Sequence, residues 1–555
     1  MTPPATETAA APSPDGTASA YARGDTAQPL LHRTIGADLT RTAARCGDRE
    51  ALVDVPSGRR WTYAELDHDV DEVALGLLAH GIGNGDRVGI WSPNCPEWLL
   101  LQYATARIGA ILVNVNPAYR THELGYVLRQ SGTRLLVAAT GHKSSDYRKM
   151  AAEVRGDCPA LRKVVHLGDP GWGELLASGA AVPRERLAAC AAAVSPGDPV
   201  NIQYTSGTTG FPKGATLSHG NILNNGYGVG ETVGYTEHDR ICLPVPFYHC
   251  FGMVMGNLAA TSHGACVVIP APSFEAAATL RAVQDERCTS LYGVPTMFIA
   301  ELEHPEFGGY DLSSLRTGIM AGSPCPEEVM KRVVAEMHMA EVSICYGMTE
   351  TSPVSTQTRR DDDLEHRTAT AGRVLPHIEV KVVDPVTGAT VPRGATGELC
   401  TRGYSVMLGY WEDPQRTAEV IDAERWMHTG DLAVMNDDGY VRIVGRIKDM
   451  IIRGGENVYP REIEEFLHAH PKISDVQVVG VPDAKYGEEI AACVILRDAT
   501  DPLTLDELTE YCRTRLAHFK IPRRLELVEN FPMTVSGKVR KVELRERLAG
   551  EAYGA

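Results

Sequence analysis

The sequence predicts an α/β fold: a large multi-lobed N-terminal domain of mixed, largely parallel sheets, followed by a small α+β C-terminal domain. Three observations carry this expectation. At 555 residues the chain is too long for one compact core. From about Leu30 to Gly445, short β-branched runs alternate with longer helical patterns. Around residue 431 the texture changes, and the hundred or so residues that follow carry an apolar pattern of their own.

Taken in order, the first 27 residues are rich in Ala, Pro, Thr and Ser with no apolar run, and read as a disordered tail. Glu65 to His80 is a helix, with Leu66, Val70, Val73, Leu75 and Leu78 recurring at helical spacing. Arg87–Trp91, Leu135–Ala138, Val200–Tyr204 and Ala265–Ile269 are strands. Asp431 to Val444 forms a hairpin turning at Asn436-Asp437-Asp438-Gly439. In the last part, Met450–Ile452, Val476–Val479 and Ile490–Leu496 are strands, and Pro460 opens a helix over Arg461–His470. Thr504-Leu-Asp-Glu507 is a capping box, with Leu503 placed to staple onto Leu508. The boundaries fall at 1–27, 28–445, a joint at 446–449, 450–549, and a final tail from 550 to 555.

Composition excludes several classes. With 43% hydrophobic and 23% charged residues the chain is an ordinary globular one. A formal charge of −17 provides no electrostatic footprint for nucleic acid. The 13 cysteines are scattered, with no C-x-x-C pair, which suits reduced, buried thiols rather than disulfides or a zinc site. Cys325 and Cys345 lie near the motifs below, but no neighbour would lower a thiol pKa. Trp98 to Val113 is the most apolar segment, yet Gln102, Arg107 and Gly109 interrupt it, so no transmembrane segment is expected. Arg23 is the only basic residue of the first 27 and no apolar leader is present, so the expected location is cytoplasmic.

The most informative stretch follows the strand Val200–Tyr204: Thr205-Ser206-Gly207-Thr208-Thr209-Gly210-Phe211-Pro212-Lys213-Gly214. Glycines let backbone N–H groups approach an anion, hydroxyls add donors, and Lys213 adds a point charge. A surface Ser/Thr/Gly turn is the plain alternative. The Walker A pattern fails, because Gly210 is followed by Phe211-Pro212 and Lys213 by Gly214 rather than Ser or Thr. Pro212 also removes an amide that such a cradle would use.

This loop resembles the signature of the adenylate-forming superfamily, which holds acyl-CoA synthetases, luciferases and peptide-synthetase adenylation domains. The resemblance continues in order and spans about Leu30 to Leu548. Ala321-Gly322-Ser323-Pro324 is similar to the adenine-contacting segment. Tyr346-Gly347-Met348-Thr349-Glu350 is similar to the segment where a Thr meets phosphates and a Glu holds magnesium. Thr429-Gly430-Asp431 resembles the ribose motif, Gly445-Arg446 follows it, and Pro532-Met-Thr-Val-Ser536-Gly537-Lys538 looks like the loop with the catalytic lysine. The resemblance implies ATP, Mg2+ and coenzyme A as ligands, with Thr205 and Glu350 at the metal. It also implies that the C-terminal domain is mobile and swings about a hinge at Lys448, with Gly454 and Gly455 lining a pantetheine channel. For this pair of glycines a plain turn is equally open. Lys538 is otherwise a solvated lysine beside Arg540 and Lys541. His249, in the aromatic segment Pro246 to Gly252, is either a core histidine or borders the reaction centre.

Such a site needs these residue types. A carboxylate attacking the α-phosphate brings two anions together, so charge must be neutralised before the bond forms. The segments Phe211–His219, Gly318–Pro324, Arg402–Trp411 and Lys448–Asn457 most resemble fatty-acyl-CoA synthetases of the medium-chain "family member 2" type. This implies fatty acid, ATP and CoA as substrates. An aromatic acid, transfer to a separate carrier protein, and a non-enzymatic module remain alternatives. Peripheral membrane contact and a homo-oligomer are left open.

Overall fold

The computed structural model describes residues 18–205, 212–483, 485–513, 515–534 and 538–552. Two mixed sheets form the centre of the large N-terminal part. Sheet A has nine strands, and six of them run parallel: Glu341–Gly347, Thr317–Ala321, Ser290–Gly293, Arg240–Cys242, Cys266–Ile269 and Glu50–Asp54. Sheet B has seven, with Pro199–Thr205, Ile111–Asn114, Arg87–Trp91, Leu135–Ala138 and Lys163–His166 parallel. At its other edge Lys213–Ser218 and Gly409–Tyr410 run antiparallel. The expected alternation of strand and helix builds both sheets, because each crossover helix covers a sheet face.

One continuous apolar cluster joins the two sheets through the helices Tyr63–Ala79, Pro96–Arg107 and His219–Val233. The helix expected from Glu65 starts at Tyr63, because Thr62 and Glu65 form a capping box just ahead of it. Pro96–Arg107 explains the most apolar stretch of the sequence: its side chains are buried on every side, including Trp98 and Leu101. Its polar members are satisfied, since Gln102 donates to the Met253 carbonyl at 3.1 Å and Arg107 pairs with Asp67 at 2.5 Å and with Asp71. Among the described residues no helix is long and apolar enough to cross a membrane.

Sheet C is antiparallel throughout, in the order Tyr21–Arg23, Ile378–Val383, Thr396–Gly403, Met427–Met435 and Val441–Arg446. It corrects the expected N-terminal tail. Residues 1–17 lie outside the described residues, but Tyr21–Arg23 pairs with Ile378–Val383, Ala20 is buried, and the Tyr21 hydroxyl donates to Glu379 at 2.6 Å. Backbone pairing on a sheet edge needs no long apolar run, which is why composition alone pointed to disorder. The last two strands of sheet C contain the expected hairpin, extended at both ends.

A short 3₁₀ turn, Ile447–Asp449, leads into the small C-terminal part. Its main strands Ile473–Asp483 and Gly487–Leu496 are antiparallel, with Arg524–Leu527 added parallel. Alternation along them fills two cores: Val476, Val478, Ile490 and Ala492 face one cluster, while Val479, Val481, Ala491 and Cys493 face the other. The expected capping box is present, with the Glu507 amide donating to Thr504 Oγ1 at 3.2 Å and the Thr504 amide to Glu507 at 2.9 Å. The expected tail from 550 is also corrected, because the last helix runs over Lys541–Ala552.

Candidate active site

The sequence-flagged segments gather at the carboxyl ends of the parallel strands of sheets A and B, where open α/β sheets characteristically present ligand sites. Thr205 ends the strand Pro199–Thr205, Gly322 follows Thr317–Ala321, and Tyr346 and Gly347 end Glu341–Gly347. Ser206, Gly207, Thr208, Thr209 and Gly210 of the loop, and Ser536 and Gly537 before Lys538, lie outside the described residues. What is described shows that the loop joins two antiparallel strands, with Thr205 opposite Lys213. It is a hairpin loop, unlike the strand-to-helix turn of a Walker site.

The first group centres on Glu350. Its chain reverses sharply: Glu341–Gly347 gives way to a 3₁₀ turn, Thr349–Thr351, and returns as Val354–Gln357. Thr349 and Glu350 are both buried. Thr205 Oγ1 donates to Glu350 Oε1 at 3.3 Å, and the Tyr410 hydroxyl donates to the same oxygen at 2.9 Å. Lys213 Nζ lies 5.1 Å from the centre of the Tyr410 ring, a cation–π arrangement. A carboxylate and a hydroxyl this close are the hard oxygen donors that magnesium prefers, so the residues fit that ion.

The second group centres on Asp431. Asp431 and Arg446 are cross-strand partners in sheet C, and Arg446 Nε donates to Oδ1 at 3.1 Å. The Tyr346 hydroxyl, arriving from sheet A, donates to Oδ2 at 2.7 Å. Burial first and Asp431 next push the Tyr346 phenol well above its ordinary pKa, so it stays a donor. Beneath this, Glu398 accepts from the Gly430 amide at 2.9 Å with one oxygen and lies 2.9 Å from His428 Nδ1 with the other. Cys400 Sγ is 3.5 Å from the same nitrogen. These three side chains could ligate a cation, but both Glu398 oxygens already serve the backbone and His428. The group works as a brace under Thr429-Gly430-Asp431.

Lys538, from the small part, completes the site. Gly322, at φ +92°, borders the lysine: a Cβ there would lie at ordinary contact distance, 3.7 Å, from Lys538 Cε and nearer, at 3.1 Å, to Val294. Lys538 lies close enough to His249 to lower its pKa, which burial chiefly and Lys538 secondarily bring down to about 3. The Phe251 amide donates to His249 Nδ1 at 3.3 Å, which assigns the proton of the neutral ring to Nε2. Burial, and then Arg446, lower the pKa of Lys538, while Asp431, Cys250 and Glu350 oppose them. Ser323 sits beside Gly322 on the same loop, half-buried. Immediately after His249 the chain forms a wholly buried π-helix, Phe251–Leu258, a wider turn often found beside functional sites.

Three flagged residues are not drawn into this cluster. Lys448 lies exposed in the 3₁₀ turn, and Gly454 and Gly455 are exposed at φ +59° and +89°. The two glycines form the tight turn of a hairpin in which Arg453 opposes Glu456. Cys325 and Cys345 are inert: burial pushes the first thiol up to about 12 and the second well above its usual value. Sequence reasoning missed Tyr410 and Glu398. Tyr410 reaches Glu350 only because Gly409–Tyr410 pairs with Ala215 and Thr216; no local motif announces it.

Fold and site together define an enzyme that handles a nucleotide between two α/β sheets and a smaller docked part. The family comparisons agree. Residues 39–411 match the model of the AMP-binding enzyme family and residues 462–538 that of the AMP-binding enzyme C-terminal domain. The chain belongs to the AMP-binding enzyme family. It is 48% identical to a putative acyl-CoA synthetase, YngI, of Bacillus subtilis, covering 93% of this chain and 97% of that one. It is 45% identical to a mitochondrial medium-chain acyl-CoA ligase, ACSF2, of Danio rerio, over 95% of this chain and 90% of the relative. A solved structure of the anthranilate CoA ligase AuaEII with anthranoyl-AMP superposes with a TM-score of 0.86 at 26% identity, covering 95% of this chain and 99% of that one.

The reversal at Gly347 gives a direct test of how the Glu350 turn is held. A Cβ there would fall 1.7 Å from the Pro353 carbonyl oxygen, so backbone rather than a flexible side chain would have to move. Gly347→Ala is expected to cost about 3 kcal/mol, read as a lowered denaturation midpoint. An unchanged midpoint would show that the turn has slack.

Proposed function

We propose that this chain is a fatty-acid–CoA ligase that forms an acyl-adenylate and then passes the acyl group to the CoA thiol, with medium- or long-chain acids as substrates. In the first step a carboxylate oxygen bonds to the α-phosphorus of ATP and pyrophosphate leaves. In the second the CoA sulfur bonds to the acyl carbon and AMP leaves. The observation that carries this reading is Lys538 brought beside His249, Gly322, Asp431 and Arg446 at the strand ends.

Each group then has a task. Asp431, held by Tyr346 and Arg446, accepts from the ribose hydroxyls, and Gly322 and Ser323 bound the adenine. Thr205, Lys213 and the loop between them hold the departing phosphates. Glu350 and Thr205 would hold Mg2+, which when bound supplies positive charge to the phosphate oxygens. Lys538 places an ammonium between the carboxylate and the α-phosphate, where charge builds up before the bond forms. His249, neutral and with its proton on Nε2, donates to the carboxylate side and does not act as a base. Thr349 borders the phosphates. We assign 28–445 and 450–549 as the two units and 446–449, with Lys448, as the hinge between them. We assign the exposed Gly454-Gly455 turn to the pantetheine channel that forms once the small unit has turned. The likeness to an anthranilate ligase keeps an aromatic acid as the second reading.

Pyrophosphate release across a panel of acids, with and without CoA, tests the reaction. Release with C6–C16 fatty acids, and CoA-dependent thioester, is expected. An absence of release with every acid would refute the enzyme reading, and transfer only to a carrier protein would refute the CoA step. Lys538→Ala should slow pyrophosphate release about 10²–10³-fold with little change in the KM for ATP.

The pH profile carries a second expectation. The ammonium of Lys538 is the active form, and its pKa is lowered, so activity is lost as pH rises through that lowered value. The kcat/KM for adenylation, which reports the free enzyme, should fall on the alkaline side earlier than an ordinary lysine would dictate. In Lys538→Arg the residual activity should lose this alkaline limb; a limb left in place would assign it to another group.

A further inference from the structure

Lys538 acts only if the small part is docked, and polar contacts among the described residues join that part to the large one. One lies at the start of the helix Glu327–Glu336 in the N-terminal part. The residue before this helix is Pro326, which offers no side-chain cap, so the first amides of the helix lack the usual acceptor. The acceptor comes from the other part: Glu465 Oε2 takes the Glu327 amide at 3.3 Å. A carboxylate at a helix N-terminus is favoured by the helix dipole as well as by the hydrogen bond. One turn earlier on the same helix, Pro460–His468, Arg461 pairs with Glu465 at 3.4 Å and donates to the Ile443 carbonyl of sheet C at 2.7 Å. The second contact lies at Glu303, which follows the helix Pro295–Leu302. Its carboxylate accepts from Ser474 Oγ at 3.0 and 3.1 Å and lies 3.5 Å from Arg497 Nη1.

We propose that Glu465 and Glu303 are positioning residues for the first half-reaction: they latch the small part in the docking that holds Lys538 beside His249. The latch is built from single hydrogen bonds and partly exposed ion pairs, which hold and let go at modest cost. Both anchors lie where parts meet and neither touches the nucleotide cluster. Their loss therefore changes how often Lys538 is in place, not what it does there.

This inference rests on the adenylation reading above, and the test separates the two. Full-length wild type, Glu465→Ala, Glu465→Gln and Glu303→Ala are compared in two single-turnover assays. One follows pyrophosphate release from ATP and fatty acid without CoA; the other follows thioester formation from prepared acyl-adenylate and CoA. Each alanine variant should slow the first about tenfold and leave the second unchanged or faster. Glu465→Gln, which keeps an acceptor for the Glu327 amide, should fall between Glu465→Ala and wild type. Equal slowing of both steps, or an unaltered first step, would overturn the latch. A wild-type chain that releases no pyrophosphate with any acid would instead refute the adenylation reading, and is seen before any variant is compared.

Discussion

Asp431 accepts from Tyr346 on one oxygen at 2.7 Å and from Arg446 on the other at 3.1 Å, and through it two independently built sheets share one carboxylate. Tyr346 ends a parallel strand of sheet A; Asp431 and Arg446 face each other across the last hairpin of sheet C. Fixing that carboxylate fixes the end of the hairpin, and the chain leaves the hairpin straight into the turn Ile447–Asp449 that carries the small part. The position of Lys538 thus depends on the same carboxylate that we assign to the ribose.

Around this pivot the site divides by rigidity. Glu350, Tyr410 and Thr205 sit on strands and turns packed into the large cores, with hydrogen bonds that leave the Glu350 carboxylate little freedom. Such preorganisation suits groups that must meet developing charge without rearranging. Lys538 stands apart from it, on a part with its own two cores. Burial first and Arg446 next lower the lysine's pKa, while Asp431, Cys250 and Glu350 oppose them. Glu465 and Glu303 make polar contacts between this part and the large one.

Much of the fold was legible in the sequence because each strand-and-helix unit carries its own period and covers its own sheet face. The helix at Tyr63–Ala79, the strands of sheet B and the capping box at Thr504 needed only local pattern. Sheet C was less so. Tyr21–Arg23 is three residues long and its partner lies more than 350 residues away, which no periodicity can record. The same distance effect hid Tyr410: its hydroxyl belongs to the site only through a strand pairing seen in space. The motif residues were legible because their chemistry is carried by type and order. What those motifs left out was the brace beneath Asp431 and the docking contacts of the small part, where ordinary Glu, Ser and Arg side chains act through position alone.

The most direct test of this account is a crystal structure with a non-hydrolysable acyl-adenylate analogue. The ribose hydroxyls should lie on Asp431, the Lys538 ammonium within hydrogen-bonding reach of the phosphate and acyl oxygens, and Glu465 still on the Glu327 amide. A nucleotide seated elsewhere, or Lys538 turned to solvent while the analogue is bound, would contradict it.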